Sequence, residues 1–589
     1  MAYSLLSEPW IPVRPVGGGP VQLVGLRELL LNAAQSERID DPSPLVTVAL
    51  YRFCLAVLHR ALNGPKDAQE AANWYKNGFP GEAIEQYLNI HAERFDLFHP
   101  TQPFMQVPDL TPELEGGKYL SHWTRLGSEV GSANTSFLFN PAGRPGGERT
   151  DAIAPAEAAR RLLEHQTFAL GGLIKRFTTS AKAAPVATLA LTMPQGRDLH
   201  ETLCLNLVAP YGGAGDLPAW ERPKLKVSDF KALYDSKTDP SRVPGGLAEH
   251  YTWLSRAVNL LPETDERGET VVRFIGFAAG VPYQNTLDTT GKTLDPMVAT
   301  VPMKSDPKRE TPIPQKLRRE QLFWRDVLAL LPEPQNQPAI VENGKAAGKI
   351  SVARGVSPAS VFHARNVLKA LEGATWQPPA TGKLNLTALK TQAPELKVMA
   401  QPVVPISVFG QITDQGKAFS YRQEGYTLPH AFIKDPQRFT DQIFTVLEDA
   451  KTAGNGLRQA VRRLASETLS RGGEREAHKD DVSKLADQLP AEATFWARLE
   501  APFRQYLTEV DASPQQARAH WRRAIVCTAW DAWALACTGV GEGAAELRAA
   551  SIAERILAAA LKSLLPNQDT VSQANTTPQE EPRDQPTTT

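Results

Sequence analysis

The chain has 589 residues, of which 42% are hydrophobic and 22% charged, an ordinary composition for a soluble globular protein of about two to four domains. Its formal net charge is -1, whereas a free-standing DNA-binding protein is usually basic overall. Any contact with nucleic acid is therefore expected to be local, or to be made by the chain as one member of an assembly.

The cysteines indicate neither a zinc knuckle nor a redox motif. Cys54, Cys204, Cys527 and Cys537 form no Cys-x-x-Cys pair, and the first two have largely apolar neighbours, which suits buried reduced thiols. A cytoplasmic location is expected. The N-terminus lacks the basic and apolar regions of a signal peptide, and no stretch of about 18 uninterrupted apolar residues predicts a membrane span.

Residues 1–430 are rich in proline and glycine and predict an irregular mixed α/β domain. A helix is predicted most clearly after Ser43, a suitable N-cap followed by Pro44 in the first turn, and residues 63–65 would end it. The predicted elements are strands at residues 21–24 and 271–277 and helices at residues 44–62, 155–163 and 199–207.

From about residue 436 the pattern changes to amphipathic helices. Apolar residues of the first helix recur every three or four positions, the period of a one-sided helix. These apolar positions are Phe439, Ile443, Val446, Ala450, Ala453, Leu457, Val461 and Leu464. The other predicted helices are residues 480–510, residues 514 onward and residues 544–565.

Prolines refine this C-terminal prediction. Pro490 or Pro502 is expected to kink the second helix, and Ser513 is expected to cap the third. The fold class predicted is therefore α+β, with a large irregular mixed N-terminal domain over residues 1–430 and a four-helix bundle over residues 431–565. Residues 566–589 are too polar to bury a core and predict a disordered tail.

Residues 408–421 predict two short strands joined by a tight turn. Apolar residues run into Asp414, Gln415, Gly416 and Lys417 and then resume, and Gly416 is free to adopt a positive φ. An ordinary polar turn is one interpretation. The other is that the amide reads or separates base pairs, because an amide donates and accepts hydrogen bonds and can fill a groove.

Residues 171–182 combine glycine with basic residues. Gly171 and Gly172 would allow the backbone to approach another polymer closely. Lys175, Arg176 and Lys182 would supply positive charge to phosphates. The alternative is a helix C-cap followed by a loop.

Two further basic sets have a spacing that suits DNA. One is a run interrupted by prolines, and the other lies on two bundle helices, where it would form a groove for single-stranded DNA. A solvated loop and solvated helix faces explain the same residues. The first set is Lys304, Lys308, Arg309, Lys316, Arg318 and Arg319, and the second is Arg458, Arg462, Arg463, Arg518, Arg522 and Arg523.

No motif predicts catalysis. Residues 290–293 end like a phosphate-binding loop, but Thr286 stands where the first glycine is required. His91, His99 and His122 have a spacing that fits no common metal site, so separate structural roles are favoured. The alternative is a metal-dependent nuclease or hydrolase that uses these histidines and scattered carboxylates.

An ordered set of segments resembles the CasA family, the large subunit of the type I-E CRISPR surveillance complex (Cascade). The order and spacing hold over nearly the whole chain, including the helical C-terminus. The segments are Leu5-Leu6-Ser7-Glu8-Pro9-Trp10-Ile11-Pro12-Val13, Pro103-Phe104-Met105-Gln106, the apolar and then glycine-rich residues 137–147, Gly171-Gly172, and residues 413–416.

The resemblance implies a non-catalytic subunit without cofactor that recognises a short protospacer-adjacent motif in double-stranded DNA, largely from the minor groove. Gly171 or Gly172 would approach the groove. Gln415 would wedge under the last base pair of the motif, and its neighbours at the site are Asp414, Gly416 and Lys417. Pairing with the guide RNA would then read the rest of the target. Phosphate contacts are expected from Lys175, Lys304, Lys308 and Arg309. Residues 137–147 fall where the family has a mobile loop. Contacts with guide RNA or other subunits are expected from four of them: Phe137, Phe139, Asn140 and Arg144.

The implied partners are the CRISPR RNA (crRNA), target DNA, other Cascade subunits and a helicase-nuclease that the family recruits. The other subunits are the backbone, small, 5′-handle-binding and crRNA-processing subunits. The chain lacks the cysteine cluster of some family members, so no metal is expected. In the family a lysine contacts the motif, and it would fall near residues 283–285, where this chain has no lysine. Lys292 could substitute for it, but Lys304 is the better match to the basic residues that contact DNA in the family. A subunit that binds only protein is a further alternative.

Overall fold

The structure, a computed structural model, divides the chain into two compact units, Met1–Asp441 and Gln442–Thr589. The residues it describes are 2–127, 152–210, 215–236, 238–284, 295–301, 312–332, 341–342, 345–346, 356–372, 403–414, 417–471 and 476–564. The domain boundary expected at residue 430 lies near the division between the units, and it stays a prediction. The tail predicted at residues 566–589 lies outside the described residues.

The N-terminal unit is organised around the helix Pro44–Leu62, whose predicted bounds are confirmed. The Ser43 side chain accepts a hydrogen bond from the Val46 amide, and Asn63 ends the helix in a left-handed conformation at φ 50°. The mean hydropathy of 1.6 over this helix would suit a membrane span, but 83% of that window is buried inside the unit. The helix is therefore the centre of the hydrophobic core.

Helices of different lengths surround this central helix. The helix predicted at residues 155–163 continues to Phe168, and the one predicted at 199–207 ends at Asn206. The α-helices of this unit are Leu26–Leu31, Pro44–Leu62, Ala68–Asn77, Gly81–Ile90, Pro155–Phe168, Leu199–Asn206, Val227–Asp235, Leu247–Tyr251, Ala359–Leu371 and Ala431–Lys434. The 3-10 helices are Ala33–Gln35, Ala92–Phe95, Leu114–Gly117, Trp123–Leu126 and Phe323–Leu330.

The strands form small antiparallel sheets, as expected for an irregular α+β domain. Three sheets have three strands: Gln22–Val24, Ile11–Pro15 and Ser36–Ile39; Leu120–His122, Thr270–Ala279 and Arg256–Thr264; and Lys417–Pro429, Val403–Asp414 and Leu191–Pro194. The two-stranded pairs are Gly172–Arg176 with Thr178–Ala181, Thr300–Val301 with Ile313–Pro314, and Val341–Glu342 with Lys345–Ala346. Both strands predicted from the sequence are present.

The C-terminal unit is helical, and the predicted apolar stripe of its first helix is buried throughout. The second predicted helix is divided into three pieces, which end at Gln488 before Pro490 and at Arg498 before Leu499. The helices are Pro436–Ser470, Lys479–Gln488, Ala491–Arg498, Glu500–Glu509, Pro514–Val540 and Ala544–Leu561, followed by the 3-10 turn Lys562–Leu564. Trp521 connects the first and third bundle helices, since its indole donates to the Val446 carbonyl at 2.8 Å.

Ser513 occupies the N-cap position of the third bundle helix, but its side chain makes no capping hydrogen bond.

The contacts of the bundle arginines argue against the nucleic-acid interpretation of these helices. Arg458 pairs with Glu492, and Arg522 pairs with Asp449 at 2.9 Å. These carboxylates neutralise much of the positive charge on both helices, which favours ordinary solvated helix faces over a groove for single-stranded DNA.

Candidate functional site

The predicted site residues fall into described and undescribed parts of the chain. Gly171, Gly172 and Lys175 are described in full, and Asp414 and Lys417 are described as strand ends. The predicted residues outside the described ranges are Gln415, Gly416, Lys304, Lys308, Arg309, Phe137, Phe139, Asn140 and Arg144.

The hairpin predicted around residue 415 is present and longer than expected. It consists of Val403–Asp414 and Lys417–Pro429, and we call it the long hairpin. The pairing runs from Val403 opposite Pro429 to Asp414 opposite Lys417, with a register shift after Ile412. Paired strands therefore run up to Asp414 and Lys417, on either side of residues 415–416.

The first strand of the long hairpin is tied to the rest of the N-terminal unit along residues 406–411. Residues 406–409 pair with residues 191–194 as a third strand. Gly410 packs so closely that a Cβ atom there would lie 2.7 Å from the Leu189 carbonyl oxygen. The Gln411 side chain is buried and donates to the carbonyls of Phe168, at 2.8 Å, and Ala187.

The glycine-rich stretch forms a second hairpin, Gly172–Arg176 with Thr178–Ala181, which we call the glycine hairpin. The expectation of a helix C-cap followed by a loop is wrong, because strand pairing of Gly172 with Ala181 begins four residues after the helix ends at Phe168. Gly172 adopts φ +151°, and no atom lies within 4 Å of the position of a Cβ. Its backbone therefore faces open space in a conformation that favours glycine.

The turn of the glycine hairpin is fixed to the neighbouring sheet by Arg176. This guanidinium donates to the carbonyls of Tyr119, Leu120 and Phe277 at 2.9 to 3.2 Å and to the Ser121 hydroxyl at 2.8 Å. Burial lowers the pKa of Arg176, and the positive charge of Arg125 lowers it further. Two of the three guanidinium nitrogens already donate within the fold, which argues against the role predicted for Arg176 in phosphate binding.

Phe177 completes this attachment. Its ring stacks on Phe230 with a centroid distance of 5.5 Å and an interplanar angle of 1°, and it also contacts Tyr119 at 5.3 Å. A two-stranded hairpin of four or five residues per strand is marginal alone, so these contacts hold it in place.

The opposite end of the glycine hairpin is exposed. The Leu173 side chain is 74% exposed, which is unusual for a large apolar residue. Lys175, which lies next to the turn, is also exposed. Lys182 is 3.5 Å from Asp239, but both side chains are more than half exposed, so this pair is weak and exchangeable.

A pocket of about 610 Å³ lies beside the exposed glycines. One wall consists of Gly171, Gly172 and residues 180–189, and the other includes residues 313–316 and Tyr283. Lys182 and Lys316 both line the pocket although they are far apart in the sequence. The fold therefore brings the glycine hairpin together with the end of the predicted basic run, and Lys316 is the residue of that run placed at the site.

Tyr283 is held in the pocket wall by the core. Its ring contacts His250 at a centroid distance of 5.7 Å and Trp253 at 5.4 Å. His250 in turn lies 2.9 Å from the Asp295 carboxylate, which pairs with Arg52 at 2.5 Å. Burial would raise the pKa of Asp295, but Arg52 and His250 outweigh it and the pKa is lowered. This wall is therefore backed by ring contacts and by a buried ion pair between Arg52 and Asp295.

The three histidines considered for catalysis have separate local roles. His91 stacks on Tyr87 at 4.7 Å, His99 accepts a hydrogen bond from the Gln102 amide at 3.0 Å, and His122 bonds to the Thr124 hydroxyl at 3.1 Å. Within the described ranges no group of three or more histidine, cysteine or acidic side chains could hold a metal ion. The expected absence of a metal stays a prediction.

Sequence reasoning missed Tyr283 as a wall residue and Gln411 as an anchor. In the sequence Tyr283 is notable only because a family lysine is missing near it. No local sequence pattern connects Tyr283 with Gly171 and Gly172, which lie more than a hundred residues earlier. Gln411 is a polar residue within a run of buried strand positions, Val408 to Ile412. Such a residue needs internal hydrogen-bond partners, which is the one signal that marks it.

Comparisons with known proteins agree with this architecture. The profile of the family described as CRISPR-associated protein Cse1 matches residues 4–532. The CRISPR-associated protein CasA/Cse1 of Thermus thermophilus is 35% identical over 560 residues, which cover 94% of this chain and 96% of the relative. A crystal structure of CasA from Thermus thermophilus superposes with a TM-score of 0.74 and 32% identity, covering 96% of this chain and all of that one.

A third similar structure is a chain of a "CRISPR RNA-guided surveillance complex". It has a TM-score of 0.65 and 20% identity, and the match covers 94% of this chain and 99% of that one. At this identity the likeness shows a shared fold.

Proposed function

The chain belongs to the CRISPR-associated Cse1/CasA family, as its sequence predicted, and we propose that it recognises a short motif beside the target in duplex DNA and starts the melting of that duplex. As a Cascade subunit it would do so within an RNA-guided complex. It would cut nothing itself, and the crRNA would then identify the rest of the target by base pairing.

The pocket beside the glycine hairpin is the observation that carries this proposal. The minor groove of B-DNA is about 6 Å wide, so an approaching chain must present backbone or small side chains. Gly171 and Gly172 offer such a backbone at the mouth of the pocket. Lys182 and Lys316 flank it with charge for the phosphates, and Lys175 adds a third exposed ammonium on the same hairpin.

The long hairpin supports the second half of the proposal. A wedge must offset a few kcal/mol of unstacking per base step, which requires a rigid support. Paired strands run up to Asp414 and Lys417 on either side of Gln415, and the third strand holds residues 406–409. We therefore assign Gln415, with Asp414, Gly416 and Lys417, to separation of the first base pair beyond the motif.

The same role implies the partners of the chain. The structural neighbour at 20% identity belongs to an RNA-guided surveillance complex. We propose that this chain assembles with the crRNA, with the other Cascade subunits and, after target binding, with a helicase-nuclease. The loop residues Phe137, Phe139, Asn140 and Arg144, together with Lys304, Lys308 and Arg309, remain proposed contacts to RNA, subunits or DNA.

A gel-shift titration tests the proposed function. Guide-loaded remaining subunits are titrated with target duplex at fixed salt, with this chain wild type, carrying Gln415→Ala, or absent. Tight binding is expected only with the chain and only on DNA that carries the motif, and Gln415→Ala is expected to weaken it. Unchanged motif preference without the chain would favour a protein-only scaffold, and metal-dependent cleavage by the isolated chain would favour a nuclease.

A further inference from the structure

The glycine hairpin and the long hairpin are separate in sequence, and one buried side chain of the long hairpin bonds to the segments that flank the glycine hairpin. Gln411 is 2% exposed and lies three positions before Asp414, the last residue of its strand. Its Nε2 donates 2.8 Å to the Phe168 carbonyl and also donates to the Ala187 carbonyl.

Both acceptors belong to the support of the glycine hairpin. Phe168 is the last residue of the helix that precedes Gly171 and Gly172, and its carbonyl is one that the helix itself leaves unpaired. Ala187 follows the second strand of the glycine hairpin and lines the pocket. One amide therefore joins the strand that leads to the proposed wedge to both chain segments that enter and leave the glycine hairpin.

We propose that Gln411 is a positioning residue that fixes the spacing between the backbone at Gly171–Gly172 and the strand end of the long hairpin at Asp414. The inference rests on the proposed function, because it assumes that one hairpin reads the motif and the other opens the next base pair. Two elements that act on adjacent base pairs must keep their distance within a fraction of an ångström. A buried amide with two carbonyl partners does this, since losing it leaves both carbonyls unpaired.

The test uses Gln411→Met, which keeps the approximate length of the side chain and removes the donor. Guide-loaded complexes containing this variant are titrated with two targets that carry the same motif, a full duplex and a duplex with a pre-opened bubble beyond the motif. Duplex binding is expected to weaken by roughly ten- to a hundredfold, as for other small misplacements of a positioned group. Bubble binding is expected to stay within about twofold of wild type, because an open pair needs no wedge.

Gln106→Met is the matched control. Gln106 is also 2% exposed, and its Nε2 also donates to two carbonyls, those of Leu97 and Phe104. Its Oε1 also accepts from the Leu260 amide, so Gln106→Met should cost at least as much stability in thermal unfolding as Gln411→Met, yet leave the ratio of duplex to bubble affinity unchanged.

The outcomes separate this inference from the function on which it rests. If Gln411→Met weakens duplex and bubble binding equally, or leaves duplex binding unchanged, the positioning role is wrong. If Gln415→Ala in the same assay leaves duplex binding unchanged, the wedge itself is wrong, whatever Gln411→Met does. A variant that cannot fold would lose the bubble as well, so it is counted against the inference.

Discussion

The two hairpins of the candidate site are anchored at different places. The glycine hairpin is fixed at its turn, where Arg176 and Phe177 bind the neighbouring sheet and core, and its glycine end is exposed. The long hairpin is fixed along its first strand, through pairing of residues 406–409 with the third strand and through Gln411. One arrangement leaves a stretch of backbone exposed, and the other holds the strand that leads to Asp414.

This difference in anchoring matches two different tasks. Reading a narrow groove needs a backbone held still with no side chain in the way, as at Gly172. Separating a base pair needs a projecting group on a stiff support, which long paired strands provide. Under the proposed function, the same motif of secondary structure would support recognition in one case and melting in the other.

The largest effect is expected at the exposed glycine end. Gly172→Val places a branched side chain at φ +151° on the surface that faces the groove. We expect motif-dependent binding by the assembled complex to weaken at least about a hundredfold, because the backbone can no longer approach the bases. Gel-shift titration on DNA with and without the motif measures this effect.

Gly268→Val is the control for this substitution. Gly268 also has positive φ, +81°, and open space around the Cβ position, but it lies in the turn between residues 264 and 270, away from the pocket. An equal loss of DNA binding with this variant would mean that Gly172→Val acts through backbone strain in the fold. The proposed role of Gly172 in reading the groove would then be wrong.

A smaller effect, on stability, is expected at the anchored turn of the glycine hairpin. Arg176→Met removes the hydrogen bonds to three carbonyls and a hydroxyl, of which the Tyr119 carbonyl keeps the Phe277 amide as a donor. We expect the free energy of unfolding to fall by about 2–3 kcal/mol and amide exchange to rise across residues 172–181. Lys175→Met, at the exposed neighbour, should change neither quantity; equal effects of the two variants would contradict the anchoring.

The smallest effect is expected at the packed part of the long hairpin. A Cβ at Gly410 would lie 2.7 Å from the Leu189 carbonyl oxygen and 3.1 Å from Leu317, so Gly410→Ala should cost about 1–2 kcal/mol in denaturant unfolding. Gly425→Ala on the partner strand meets nothing within 4 Å and should be neutral or slightly stabilising. If both substitutions were neutral, the close packing of this end would be unimportant.

How much of this could be predicted from the sequence depends on the distance between interacting residues. The central helix was predicted with its bounds because its cap, first-turn proline and end lie within the helix or beside it. The bundle stripe was predicted because its period is local, and the long hairpin because its turn residues are adjacent. The family resemblance, which the comparisons confirm, came from the order of such local segments.

Long-range contacts explain the failures. Arg176 has the composition of a phosphate ligand, yet its partners lie 55 to 101 residues away in the sequence. No local pattern distinguishes a buried arginine that caps carbonyls from an exposed one. The pocket likewise depends on Gly172, Tyr283 and Lys316, which only the folded chain brings together.

The division of labour between the hairpins can be tested in one binding experiment. Complexes that contain Gly172→Val or Gln415→Ala are titrated with a motif-bearing duplex and with the same DNA pre-opened beyond the motif. The account predicts that the bubble restores binding to the Gln415→Ala complex and does not restore it to the Gly172→Val complex. Restoration of both complexes, or of neither, would contradict separate roles in reading and melting.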